Sequence, residues 1–380
     1  MRINEFEYHD KDRGWKLERT KFSDLTLLVG ISGVGKTEIL KAIGNVRAIA
    51  EGESFSGVKW DIVFSTNDNK EYRWMGEFEK RTDDSGYSGI ENSEKKKASL
   101  LHEKLLDGNE NIIIERDGKD IVFNNEKTPK LPPYVSTIYT LKEEDDISPV
   151  YKNLRMIYIH NKELMLAVAF SDKKLKALLK NKRIRLEEIA NYDLPIIIKF
   201  LLVSRLSKKT YAHIKKRFTD LFPNTKDIRV KIEQAKSGIF EELSIEETSF
   251  QIKEKGVDNW ISFDRISMGM LKTLHLICEM YLQPEGTVNL IDEFENSLGI
   301  NCINILEDGL YSERKIQYII TSHHPYIINK IGKEHWKLVT RKGGTVTARD
   351  AEEFLNVKSH HEAFIRLINL PEYKEGIETT

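Results

Sequence analysis

The octet Gly30-Ile31-Ser32-Gly33-Val34-Gly35-Lys36-Thr37 fits the pattern G-x-x-x-x-G-K-[ST], and the chemistry this spacing permits is capture of a nucleotide's phosphates. Gly33 and Gly35 let the main chain curl until successive N–H groups face one anion. Gly30, Ser32 and Val34 complete the turn, and a helix starting there adds the positive end of its dipole. Lys36 can neutralise the β- and γ-phosphates, and the Thr37 hydroxyl is placed to ligate Mg²⁺. Such a loop needs a second strand that carries carboxylates. Thr287-Val-Asn-Leu-Ile-Asp292-Glu293 is a buried-type run ending in two acids. Asp292 falls on the Mg²⁺ side, and Glu293 can polarise a water for attack on the γ-phosphate. A third run, Ile316 to Ile320, ends in Thr321-Ser322-His323-His324-Pro325. It sets a polar residue and a histidine at the carboxyl edge of a parallel sheet, where ligands sit. Metal binding by the two histidines is disfavoured, because no Cys or paired carboxylate lies at ligand spacing around them.

The elements that must position these groups follow from the apolar pattern. Arg2 to Tyr8 and Trp15 to Phe22 read as short strands, Leu25 to Val29 as a buried one, and Lys36 to Ala50 as a helix after the glycine turn. From Gly57 to Ile138 short apolar bursts separated by DG, NN and PP predict antiparallel hairpins. Lys173 to Leu221 carries the 3.6-residue period of helices until Pro223 stops it, strand patterns return from Ile228, and Ile266 to Ile331 alternates helix and buried strand. The expected organisation is therefore α/β in three stretches: 1–140 with the phosphate loop, a helical and basic insertion at 141–224, and 225–380 with the acids and histidine.

Composition bounds the rest. At 380 residues with 40% hydrophobic and 31% charged residues, the chain can build about two to three domains and keep a solvated surface. Lys+Arg 59 against Asp+Glu 60 leaves a net charge of −1, so no global field draws the molecule onto nucleic acid. Between Asp172 and Arg217, however, fourteen Lys/Arg stand against Asp172, Glu187, Glu188 and Asp193, a local +10. That stretch is either a solvated helix face or a surface for DNA or an acidic partner. Two cysteines, Cys278 and Cys302, exclude a disulfide scaffold and a four-cysteine zinc site. With no apolar leader and no run of about 18 apolar residues, the chain reads as cytoplasmic and without membrane contact.

Phe263-Asp-Arg-Ile-Ser267-Met-Gly269-Met-Leu-Lys272, then LIDEFENSLG, then TSHHP, resemble the signature, Walker B, D-loop and switch-histidine series of ABC-type ATPase heads, closest in pattern to SMC/RecF-like and OLD-like heads. The resemblance covers roughly residues 25 to 45 and 260 to 330. It implies an ABC-type P-loop head with a mostly antiparallel β subregion and a helical insertion, using ATP and Mg²⁺. It implies an ATP-sandwich dimer in which Ser267 and Gly269 reach the γ-phosphate held by the other subunit. It also places Asn296 and Ser297 in the D-loop, His323 as switch histidine and Glu293 as catalytic carboxylate. The match departs from transport-type heads. Gln234, Gln251, Gln283 and Gln317 all lie beyond the helical stretch, so no Q-loop is assigned. The acids of Lys142 to Asp146 either fill that role or form a solvated turn. Pro195 and Pro223 keep any coiled-coil arm short. Trp336 to Thr380 lacks the length and acid spacing of the TOPRIM domain of OLD-like nucleases, so no nuclease of its own is expected. Stand-alone heads of this kind resemble the ATPase subunits of anti-phage systems such as Septu and PARIS, which implies a separate effector, a nuclease or toxin. The alternatives are a RecF/SMC-like ATPase that clamps DNA and, less in keeping with the motifs, the energy subunit of a transporter.

Overall fold

A computed structural model of the chain describes residues 1–81, 97–160, 167–170, 178, 184–192, 194–234, 246–297, 314–355 and 359–377. The chain forms two compact units. The first comprises Met1–His160, Glu285–Phe294 and Glu313–Thr380; the second comprises Asn161–Pro284 and Glu295–Ser312.

Numbered in chain order, the strands of the first unit are β1 (Arg2–Asp10), β2 (Trp15–Lys21), β3 (Leu25–Val29), β4 (Val58–Ser65), β5 (Glu71–Phe78), β6 (Leu100–Asp107), β7 (Ile112–Asp117), β8 (Asp120–Phe123), β9 (Glu126–Lys127), β10 (Ile157–Ile159), β15 (Val288–Ile291), β16 (Gln317–Thr321), β17 (Trp336–Lys342) and β18 (Thr345–Asp350). They join one sheet in the order β10-β15-β16-β3-β17-β18-β2-β1-β4-β5-β6-β7-β8-β9. The five strands from β10 to β17 are mutually parallel. Their centre is covered on both faces, since every residue of β3, β15 and β16 is buried, as continuous apolar runs require. From β1 through β9 each pairing is antiparallel, as the hairpin punctuation predicts. There the side chains alternate: Val58, Trp60, Ile62 and Phe64 of β4 point inward. Trp60 meets Trp74 edge-on at 5.1 Å and Phe78 at 5.5 Å, and each such ring contributes about 1.5–3 kcal/mol by leaving water. Asp61, on the opposite face, is clamped by Arg73 through bonds of 3.0 and 2.6 Å and by Arg19. Helix α1 (Lys36–Ala50) buries Ile39, Leu40, Ile43, Val46 and Ile49, the one-face spacing of an amphipathic helix.

The second unit holds strands β11 (Ala167–Phe170), β12 (Thr225–Gln234), β13 (Glu246–Glu254) and β14 (Ile261–Ser262), paired antiparallel as β11-β13-β12 with β14 on β13. Helices Ile196–Leu206, Lys208–Leu221 and Met268–Leu282 pack together. The first is apolar nearly all round, and its Phe200 lies 5.4 Å from Tyr211 and 5.6 Å from Phe250. Tyr211 donates its hydroxyl to the Ile228 carbonyl at 2.6 Å, and burial pushes its pKa up to about 12. Among the described residues no helix is long and apolar enough to cross a membrane.

Candidate nucleotide-binding site

The glycine turn leaves the carboxyl end of β3, held between β16 and β17, and runs straight into α1. Gly35 caps the helix in the left-handed region at φ 109°, which only glycine adopts without strain. Gly30 is fixed by space as well: a Cβ there would lie 2.6 Å from the Val339 carbonyl oxygen. Ser32 and Gly33 are exposed at the tip, while the Val34 side chain is buried in the core. Any part Val34 takes in ligand binding must therefore come from its main chain. Lys36 is buried, and its ammonium donates to the carbonyls of Gly30 at 2.7 Å and Ile31 at 2.9 Å. The charge is thus held inside the turn.

Behind the loop the strand order sets two more groups together. β15 ends at Ile291 and β16 at Thr321, so Asp292 emerges one strand away from Thr321 and two from the loop. Thr37 donates its hydroxyl to Asp292, with Oγ1 3.0 and 3.1 Å from the two carboxylate oxygens. Thr321 donates to Asp292 Oδ1 at 2.8 Å, and the Glu293 main-chain N–H donates to Thr321 Oγ1 at 2.7 Å. Glu293 sits at φ 47°. Positive φ in a non-glycine residue is uncommon and marks a place where surrounding structure holds the chain. Next in line, His323 is exposed. His324 instead caps the helix Pro325–Lys330, its Nδ1 accepting from the Tyr326 N–H at 3.2 Å.

Two hard oxygen donors, the Thr37 hydroxyl and the Asp292 carboxylate, already in hydrogen-bonding contact, are the donor set that suits Mg²⁺. Beside α1, Tyr8, Arg13, Trp15, Lys41 and Asn45 line part of a hollow of about 380 Å³. Asn45 donates to the Tyr8 hydroxyl at 2.9 Å, and burial pushes the Tyr8 pKa up to about 12.

Asn296 and Ser297 fall in the short helix Phe294–Ser297 directly after Glu293, and their side chains lie outside the described residues. In the second unit Ser267 caps the helix Met268–Leu282, accepting from the Met270 N–H at 3.3 Å. Ser267 is exposed, and a Cβ on Gly269 would meet nothing within 4 Å. Of the basic stretch, residues 171–177, 179–183 and 193 lie outside the described residues. Arg205, Lys208, Lys209, His213, Lys216 and Arg217 are exposed. Lys199, counted in the local +10, is buried and donates to the Ala190 carbonyl at 2.6 Å, because every residue of its helix from Ile197 to Val203 is buried; it adds nothing to a surface. The sequence reading passed over Thr321 except as a polar strand end. Its position beside Asp292 follows from strand order, which no local pattern encodes.

A glycine loop between a buried parallel strand and a helix, with a carboxylate strand one strand removed, is the arrangement that P-loop folds use. Residues 172–329 match a family model described as "AAA domain, putative AbiEii toxin, Type IV TA system", and the match takes in both Asp292 and Thr321. Among solved structures the chain is similar to one described as "Crystal structure of the SmcHead bound to the C-winged helix domain of ScpA", with a TM-score of 0.46 and 13% identity, over 94% of this chain and 100% of that one. No curated protein matches.

Proposed function

We propose that the chain binds and hydrolyses ATP, closes as a dimer around it, and uses that cycle to control a separate nuclease or toxin in bacterial anti-phage defence. The observation that carries the catalytic part is the contact of Thr37 with Asp292 behind the glycine loop. In this reading Lys36 exchanges its two loop carbonyls for phosphate oxygens, and the base of the nucleotide lies toward the hollow beside α1. Thr37 and Asp292 would hold Mg²⁺, which when bound offsets charge on the β- and γ-phosphates. Glu293 orients a water and takes its proton, and exposed His323 faces the γ-phosphate side. Ser267 and Gly269, on an open helix N-terminus with room for close approach, supply N–H and hydroxyl donors to the nucleotide of the second copy. Effector control is supported by the toxin–antitoxin system named in the matched family's description. The second reading, a DNA-clamping ATPase, is favoured by the exposed cations of the helix Lys208–Leu221.

The test is sedimentation with ATP. Glu293→Gln should bind ATP, lose hydrolysis and accumulate as a dimer, whereas the Glu293→Gln, Ser267→Arg double variant should bind ATP yet stay monomeric. Wild-type hydrolysis by Glu293→Gln would refute the general base, and equal dimerisation by the double variant would refute action in trans.

A further inference from the structure

We propose that Thr321 is a positioning residue that sets the Glu293 carboxylate for hydrolysis by holding the main chain of Glu293 in its left-handed conformation. The inference rests on the reading of Glu293 as general base and adds a residue that this reading leaves unassigned. Among the described residues four other non-glycine residues have positive φ: Asn69, Glu110, Asn124 and Asn125. All lie in turns between antiparallel strands of the first unit, where such conformations are ordinary. Glu293 is different, since it follows the end of a parallel strand and no hairpin geometry calls for φ 47° there. What meets its main chain is the Thr321 hydroxyl, 2.7 Å from the amide nitrogen.

A hydroxyl has one proton to give and two lone pairs to accept with. Thr321 gives its proton to Asp292 Oδ1 at 2.8 Å, which orients the oxygen so that a lone pair is left for the Glu293 N–H. One buried atom, on a residue 1% exposed, therefore fixes two consecutive acids. It fixes the first through its carboxylate and the second through its backbone. Left-handed backbone at Glu293 directs the side chain away from the path an extended strand would give it, so the direction of the carboxylate depends on this bond. Thr321 touches neither water nor phosphate in this scheme, which is why it positions and does not catalyse. Because a misplacement of about 1 Å can lower a rate about 100-fold, the loss should appear in kcat; Asp292 keeps its two contacts with Thr37, so ATP affinity should change little.

The experiment compares Thr321→Val, which keeps the shape and removes the hydroxyl, with Thr321→Ser, which keeps the hydroxyl. ATP turnover, affinity for a fluorescent ATP analogue and thermal unfolding are measured on each, and Glu293→Gln is made alone and combined with Thr321→Val. The expected result is a kcat about 10- to 100-fold lower for Thr321→Val with KM and analogue affinity within about threefold of wild type. Thr321→Ser should restore turnover, and Thr321→Val should cause no further loss in the Glu293→Gln background. Wild-type kcat in Thr321→Val, or equal loss in Thr321→Ser, overturns the proposal. If Glu293→Gln itself turns over at the wild-type rate, the failure belongs to the choice of base and not to Thr321. Should Thr321→Val not fold, Thr321→Ala removes the same hydroxyl and is read by the same criteria.

Discussion

Replacing Lys36 by alanine isolates the phosphate contact from the fold. The ammonium is buried and makes bonds of 2.7 and 2.9 Å to the carbonyls of Gly30 and Ile31. Nucleotide binding trades those neutral acceptors for charged ones. A hydrogen bond between ionised partners contributes about 1.5–3 kcal/mol, so contacts to a β- and a γ-oxygen supply about 3–6 kcal/mol. Surrendering the two carbonyls takes back part of that. The net is about 2–4 kcal/mol, or an affinity loss of about 30- to 1,000-fold. The cost to folding should be smaller, since the Ile31 carbonyl lies on an exposed residue where water can take the place of the ammonium, which leaves only the buried Gly30 carbonyl without its donor. Calorimetric titration with ATP and Mg²⁺, beside thermal unfolding, separates the two effects. Lys36→Met, which retains the apolar stem, serves as a second variant and should show the same loss. ATP affinity within threefold of wild type in a folded Lys36→Ala protein would refute the assignment of this lysine to the phosphates.

The cations of the helix Lys208–Leu221 provide another test. Exchanging Lys208, Lys209, Lys216 and Arg217 for glutamine should weaken DNA binding and flatten its log–log salt dependence by up to about 0.9 per lost phosphate contact, while DNA-free ATP turnover stays unchanged. Lys215 is left out because it is half-buried and held by Asp227 at 2.6 Å, whereas Lys216 is exposed and meets Asp220 only at 3.3 Å. Identical salt slopes in wild type and variant would remove DNA as the ligand of this face. In the antiparallel region burial raises the Asp61 carboxyl, but the Arg73 and Arg19 contacts more than offset it and hold the group below its ordinary range. A carboxylate depressed in the folded state stabilises above its unfolded pKa, about 3.9, and loses that contribution as pH falls through the lower folded value. Asp61→Asn should therefore cost about 1 kcal/mol at pH 7 after screening of the partly exposed arginines. The gap should narrow below about pH 4. Urea unfolding at pH 7 and pH 3 checks this, and a gap independent of pH would contradict it.

What could be read from the chain alone was whatever is local. The glycine loop, the helix that starts at Lys36 and the apolar runs before Asp292 and Thr321 are each contiguous, and their periodicity survives any tertiary arrangement. The hairpin punctuation between Gly57 and Ile138 was legible for the same reason. Two things were not. Lys199 counted as surface charge because its own residue type says so, whereas its helix is buried from Ile197 to Val203 and the ammonium is held on the Ala190 carbonyl. Thr321 looked like a strand terminus because its meaning depends on β16 lying between β3 and β15, a pairing over nearly the whole chain. The left-handed turn at Glu293 has no local marker either, since glutamate is not a residue that signals positive φ.

The sheet order also governs when the loop can work during biosynthesis. β3 pairs on both sides with strands from the far end of the chain, β16 and β17, so this five-residue apolar segment leaves the ribosome without either neighbour. At about 5–20 residues per second, the roughly 290 residues that separate Val29 from Gln317 take on the order of 15–60 s to synthesise. The antiparallel pairs from β1 to β9 need no distant segment for their own ladders and can form in that interval. The nucleotide site cannot: until β16 arrives, Asp292 has no Thr321 and the glycine turn has no fixed floor. A nascent or C-terminally truncated chain would thus carry an intact glycine-loop sequence without the strands that assemble the candidate site around it. It would also carry an unpaired apolar strand of the kind that recruits chaperones or aggregates.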